Sequence, residues 1–481
     1  MTDGVIIRGG TIVSDGRRFR GDVVVGDGKV LSVSTGGEHG GVKKSIDASG
    51  CFVMPGGIDG HTHFDNPALD FTTATIDTFA TGSAAAAAGG TTTFIDFAKR
   101  VPGQDLLQSF RERLDIASEQ AIIDFGFHPV VPPEALADGT LGQLEQLTVE
   151  YGATSWKVFL AYPGMRLSDE TVMAAFEGAK KLGVLPVVHA ESGSIVEHAT
   201  DKLVADGNTG EANHLLAHPH LAEAEGAWRA ACFAKVVNLP ILFLHVSSRW
   251  VLDVIAYHRA AGGVIFGETC PHYLLLASED YNVSDELALR YICSPPIRER
   301  ANAQYLWDAL ASDVLSLVST DHAPFALTEA ASTGPQKRAA PGYFPGCPNG
   351  VPGVEERLAL LYHYGVNAGV LTLERFVDVV STTPARLFGL YPRKGTISVG
   401  SDADITVWDP SAEHVLRAST QHSTVDYSLY EGWVLRGRPR TVLSRGEVVW
   451  DGDQIVGEEG RGRYQRRSVV AAPQTKVGVG L

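Results

Sequence analysis

Between residues 54 and 393 the chain repeats one pattern, a short apolar run followed by a longer stretch with helical spacing. The first run leads from Met54 to His63. Seven more lie at 93–97, 122–127, 155–159, 186–189, 241–245, 263–266 and 316–320. Segments such as 169–182 and 222–237 supply the helices between them. Eight βα repeats over this length predict an α/β fold, a (β/α)8 TIM-like barrel with its active site at the C-terminal ends of the strands. An open doubly wound sheet is the alternative. The count of eight and the lack of a Gly-x-Gly-x-x-Gly turn after the first run favour the barrel.

The flanking segments have a different texture. Residues 5–53 alternate short apolar runs with Gly9-Gly10, Asp15-Gly16 and Asp27-Gly28, the punctuation of β-hairpins. The pattern returns at 404–408, 441–443 and 448–450, with turns at Arg445-Gly446 and Asp451-Gly452. One discontinuous β-sandwich domain built from both termini, 1–53 with 394–455, is therefore expected around a catalytic barrel at 54–393. Residues 456–481 are expected to form a C-terminal tail. Its loop-like start at 457–463 could reach a neighbouring subunit, and Arg461, Arg463, Arg466 and Arg467 read as a solvated basic cluster.

A formal net charge of -16 argues against nucleic acid as a partner, because such binding needs a basic face. No run is long enough to span a membrane; Ala84 to Ala88 is closed off by glycines on both sides. The N-terminus lacks the charged and apolar regions of a signal peptide. Five scattered cysteines without a Cys-x-x-Cys pair suit a reducing cytoplasm.

On a strand, residues two apart project from one face, so His61 and His63 can converge on one metal ion. Lys157, His189, His245 and Asp321 also lie at or just past the ends of expected strands. Singly, each has a plain reading: a core histidine bonded to backbone, a lysine with a packed stem, an aspartate capping a helix. Six such residues on one barrel rim point instead to a shared site. Imidazoles and a carboxylate suit zinc or a similar divalent ion, which activates water and polarises a carbonyl. A charged lysine would repel metal, so Lys157 must be neutral or chemically altered to belong. His128 is expected to be structural, and His198, His214, His218 and His220 to be solvated.

The stretches Met54–His63, Trp156–Tyr162, Val188–Glu191, Leu244–Ser247, Cys293–Arg298, Ser319–His322, Pro348–Gly350, Leu390–Ile397 and Val399–Asp404 resemble those of the amidohydrolase superfamily. Within it, the resemblance is to the cyclic amidases, dihydropyrimidinase and D-hydantoinase, and it runs from Gly4 to about Gly452. It implies two divalent metal ions, zinc being the first choice, bridged by a CO2-derived carbamate on Lys157 (N6-carboxylysine). His61, His63 and Asp321 would complete one metal site, and His189 with His245 the other. Asp321 would serve as general base and acid toward a metal-bridging hydroxide. Tyr162 would donate to the developing oxyanion, and backbone groups near Ser294 and Asn349 would hold the ring's amide edges. The resemblance also implies a homotetramer, or a homodimer.

Dihydroorotases and allantoinases typically carry an arginine or a Glu-Pro-Gly segment soon after the histidine pair. Here Phe64-Asp65-Asn66-Pro67 offers no cation for an acidic substrate, so a small neutral cyclic amide is expected. The segment from Gly267 to Tyr273 has a texture shared with allantoinases, which keeps an allantoinase-type ureide hydrolase as the alternative. A non-catalytic dihydropyrimidinase-related interaction protein is disfavoured by the intact ligand set. Leu69, Phe71 and residues near 159–166 are expected to wall the pocket for the ring substituent.

Overall fold

In a computed structural model, residues 4–36, 44–68, 72–329 and 333–469 are described. Leu69 and Phe71 lie outside them. The eight expected strands form, parallel and in chain order: Gly57–Thr62, Thr91–Ala98, Asp124–Pro129, Ser155–Phe159, Leu185–His189, Ile241–Phe243, Ile265–Thr269 and Leu317–Val318. Regular ladders cover residues 57–129 and 155–318 separately. Parallel bridges Val130–Lys157 and Thr62–His322 join the two arcs into a ring. Both bridges fall at the C-terminal rim, and each includes a candidate ligand or its immediate neighbour.

Strand residues alternate between two cores. Ile58, Ile95, Val187, Leu242 and Leu317 fill the barrel interior together with Phe388. Residues of opposite orientation, such as Phe94, Phe125, Val158 and Val188, pack outward against the helices. Helix Asp169–Leu182 shows why the sequence folds this way. Ser168 caps its first turn, Asp169 and Glu170 lie at its positive end, Lys180 and Lys181 at its negative end, and Gly183 closes it with φ 70°. In helix Phe79–Ala88, Gly82 permits a close approach, since a Cβ there would stand 2.3 Å from the ring of Phe64, one residue beyond His63. The helix can therefore press directly on the segment that carries the first ligands. No helix among the described residues is long and apolar enough to cross a membrane.

Both termini meet in a single eight-stranded sheet. Its junction is the short strand Phe52–Pro55, parallel to Thr11–Ile12 on one side and antiparallel to Ile405–Trp408 on the other. Ile7, Val23, Val53, Ile405 and Leu443 share one hydrophobic core, so the N- and C-terminal segments stabilise each other. The hairpin turns at Asp15-Gly16 and Asp27-Gly28 have positive φ at both central residues (51° and 71°, 52° and 75°), the backbone that a two-residue hairpin prefers.

The expectation of a solvated basic cluster fails at Arg467 and in part at Arg461, whereas Arg463 and Arg466 are exposed as expected. Arg467 is only 4 % exposed. Its guanidinium enters the barrel from the N-terminal ends of the strands and donates to Ser155 Oγ (2.6 Å) and to the Phe127 carbonyl. Tyr464 bridges Phe125, and Arg461 donates to the carbonyls of Ile122 and Ser444. Main-chain carbonyls and a buried hydroxyl at this pole of the barrel take up donors that in sequence resemble a charged, solvated end. The remaining residues, 470–481, lie outside the described ones.

Candidate metal centre and active site

The first barrel strand ends on Thr62, so His61 is its last residue but one and His63 follows immediately beyond it. Thr62, between them, turns away and donates to Asp96 Oδ2 (3.0 Å), as strand alternation requires. His61 Nε2 and His63 Nε2 both face Asp321 Oδ1, at 3.0 and 3.1 Å. These three ligand atoms lie within 4.8 Å of one another. Beside them, His189 Nδ1 and His245 Nε2 face each other at 2.9 Å. The His61 and His245 rings are 5.4 Å apart, so the two sets adjoin.

Lys157 is 1 % exposed, and its Nζ lies over the rings of Phe97 (4.8 Å) and Phe159 (4.5 Å). Burial pulls its ammonium down to about 8, with Asp321 and Glu268 opposing. A neutral amine is thus accessible, as the chemistry expected of this lysine demands. Burial also lowers the other imidazoles, His63 to about 4 and His189 and His245 likewise downward, which leaves lone pairs free for a cation. His61 is the exception. Burial opposes its charge, but Asp321 and Glu268 outweigh that and hold it up to about 9. A site that draws a proton onto an imidazole between two carboxylates also favours a divalent ion there. Burial would raise the Asp321 carboxyl, yet His61 and His63 hold it well below the usual range, so it stands ionised.

The donor set fits a metal centre on further grounds. His245 Nδ1 and Glu268 Oε2 are buried polar atoms without a hydrogen-bond partner among the described residues. His245, Asp321 and Tyr162 adopt positive φ (40°, 50° and 74°), a backbone that costs about 1–3 kcal/mol per residue and concentrates at functional sites. Above the ligands opens a cavity of about 870 Å³, lined by His61, His63, Lys157, Tyr162, His189, His245, Ser294, Asp321 and Asn349 among others. The Tyr162 ring lies 4.9 Å from that of His189, and burial raises its phenol well above the usual value, so it remains a donor. Every expected catalytic, metal-ligating and ring-holding residue therefore borders one space.

Comparisons with known proteins place the whole chain. The amidohydrolase family description matches residues 52–449. D-hydantoinase of Ralstonia pickettii is 41 % identical over 466 residues, covering 96 % of this chain and 98 % of the relative. D-hydantoinase of Geobacillus stearothermophilus is 38 % identical, covering 97 % of each. The crystal structure of dihydropyrimidinase from Brevibacillus agri superposes with a TM-score of 0.93 at 38 % identity, over 98 % of this chain and all of that one. The chain belongs to the amidohydrolase family. Within that family it groups with the hydantoinases and dihydropyrimidinases, and it is a cyclic amidohydrolase.

In this amidohydrolase the expected ligands are themselves held by carboxylates that sequence reasoning missed. Glu268 Oε1 lies 2.7 Å from His61 Nδ1 and 3.4 Å from the His245 backbone nitrogen, so one carboxylate touches both ligand sets. Glu191 bonds His189 Nε2 (3.0 Å) and His218 Nδ1 (2.8 Å). Against burial, which raises it, His218 and His189 hold the Glu191 carboxyl well below its usual range. Such partners fix a ligand's tautomer and orientation. A signal existed for Glu268: it lies near the end of the strand Ile265–Thr269, close to the level that carries ligands elsewhere on the rim.

Two histidines expected to be solvated are buried instead. His218 bonds Glu191, and His214 Nε2 bonds the Cys293 carbonyl at 2.9 Å. Their segment folds inward because buried acceptors stand opposite each ring. His220 is partly covered, between Ser248 and Glu299, and His198 is exposed as expected. His128, bonded to Ser155 Oγ and the Gly60 carbonyl, is structural.

Proposed function

We propose that this cyclic amidohydrolase opens a ring amide C–N bond in 5-substituted hydantoins or dihydropyrimidines. The convergence of His61, His63, Lys157, His189, His245 and Asp321 beneath one cavity carries the reading. The names of the relatives, D-hydantoinase and dihydropyrimidinase, supply the substrate class. His61, His63 and Asp321 would hold one divalent ion, and His189 with His245 a second. Lys157 would bridge them after its neutral amine adds to CO2, giving Lys–NH–COO⁻ and a released proton. Bound metals, zinc in the first instance, supply water activation and carbonyl polarisation at neutral pH.

The remaining steps belong to side chains of this chain. Asp321 accepts the proton of the attacking water and returns it to the ring nitrogen as the C–N bond breaks. The Tyr162 hydroxyl donates to the carbonyl oxygen as negative charge develops there. Backbone groups at Ser294 and Asn349 hold the ring's amide edges. A neutral ring is favoured because the basic side chains at the cavity wall are engaged elsewhere: Lys99 donates to the Pro67 carbonyl, and Arg338 to Glu286 and Leu327. We place the protein in the cytoplasm as a homotetramer or homodimer. The five free thiols support the compartment, and the exposed, tilted ring pair Trp228 and Tyr257 offers an assembly surface.

The deciding experiment compares rates on dihydrouracil, 5-substituted hydantoins, allantoin and dihydroorotate with metal-loaded protein. The first two should be preferred. A clear preference for allantoin or dihydroorotate overturns the substrate assignment, and protein that binds no divalent metal and opens no ring overturns the whole reading.

A further inference from the structure

Lys337 is a buried cation that neither the ligand set nor the proposed chemistry uses. It is 1 % exposed, sits in the short 3-10 turn Gln336–Arg338, and makes no ion pair with a carboxylate among the described residues. Gln336 and Arg338 on either side line the cavity; Lys337 points behind its wall. There its Nζ donates to the Ile292 carbonyl (2.8 Å) and to the Pro348 carbonyl (3.0 Å). Those carbonyls come from two segments far apart in sequence, one leading into Ser294 and the other into Asn349. The Ile292 carbonyl also accepts from Gly350 N at 3.0 Å, so the two segments are already in direct contact. His214 holds the Cys293 carbonyl between them.

Burying an ammonium without an anionic partner is costly, and an apolar side chain could fill the same volume. What methionine could not do is donate two charge-assisted hydrogen bonds to carbonyls of different segments. We propose that Lys337 is a positioning residue that clamps the Ser294 and Asn349 turns at the spacing their substrate-facing groups require. With Ile292 and Pro348 carbonyls occupied from behind, the neighbouring groups that face the cavity stay free and fixed in direction. Gln336 anchors the same turn to the opposite wall through Thr73 Oγ1 (2.6 Å) and the Ala74 carbonyl (2.7 Å), which keeps the clamp from drifting.

This inference deepens the proposed function and rests on its assignment of Ser294 and Asn349 to the substrate ring. Its test is Lys337→Met, with Lys337→Arg as the variant that keeps donors. In Lys337→Met, KM for the preferred ring should rise about 10-fold or more, with kcat within about threefold and metal content unchanged; Lys337→Arg should restore part of the KM. Amide hydrogen exchange supplies a readout independent of turnover: protection at Gly350, whose N–H donates to the Ile292 carbonyl, should fall in Lys337→Met while the barrel strands stay protected. Unchanged protection at that amide overturns the clamp whatever the substrate proves to be. Lower protection with unchanged KM overturns its role in substrate positioning. Failure of the wild-type protein to open any ring overturns the proposed function instead, and leaves the exchange result to judge the clamp.

Discussion

Among the described residues, two clusters gather three metal-capable side chains within 4.8 Å: His61, His63 and Asp321 at the barrel rim, and Asp124, Asp402 and Asp404 where the barrel meets the terminal sheet. By charge alone, the three carboxylates are the better cation site. Yet they already enclose one. Lys394 Nζ lies 2.7 Å from Asp124 and 3.2 Å from Asp402 and also bonds Asp404, while Arg445 closes on Asp124 from the other side. At the rim, no lysine or arginine among the described residues pairs with Asp321 in this way. The nearby Lys157 faces aromatic rings, and burial pulls its charge down. A structural cluster brings its own counter-charge; a functional one leaves the place open.

Substitutions at each centre sharpen the contrast. At the rim, Asp321→Ala should lower kcat by about 10³-fold or more, and Lys157→Ala should remove both metal and activity, read by metal analysis and steady-state rates. Metal content and turnover that survive Lys157→Ala would point to a mononuclear deaminase-like centre. At the acid cluster, Lys394→Met should cost about 3–5 kcal/mol in a urea titration, because three buried carboxylates lose the one cation they share. Millimolar Ca²⁺ should recover part of that loss; without recovery, the cluster is not a latent cation site. A subtler effect is expected of Glu268→Gln, about 10- to 100-fold weaker metal binding in a chelator competition with the fold intact. Smallest should be Arg467→Ala, a loss of about 2 kcal/mol in stability with KM unchanged, since the side chain works at the far pole of the barrel.

The same contrast explains what the sequence disclosed. Strand-end residues such as His61, His189 and His245 were legible because an apolar run fixes where a strand stops, and a barrel sends all such stops to one rim. The terminal hairpins were legible through their Asp-Gly turns. Glu191, His218, Lys337 and Lys394 were not. Each owes its role to a partner distant in sequence or across a loop, and a charged residue in a polar stretch looks solvated until the fold covers it. Arg467 shows the rule at its strongest, since four arginines near a chain end look like a tail until Ser155 and the Phe127 carbonyl are seen to await one of them.

The strand Phe52–Pro55 has a consequence for biosynthesis. One of its edges pairs with Thr11–Ile12, made just before it, and the other waits for Ile405–Trp408, near the end of the chain. On a ribosome that second edge emerges early and stays unpaired through synthesis of the entire barrel. His61 and His63 follow soon after it, so the nascent chain displays an open β-edge and two candidate metal ligands side by side. A factor that shields this edge and a metal ion that binds these histidines would therefore act on the same short stretch and at the same time.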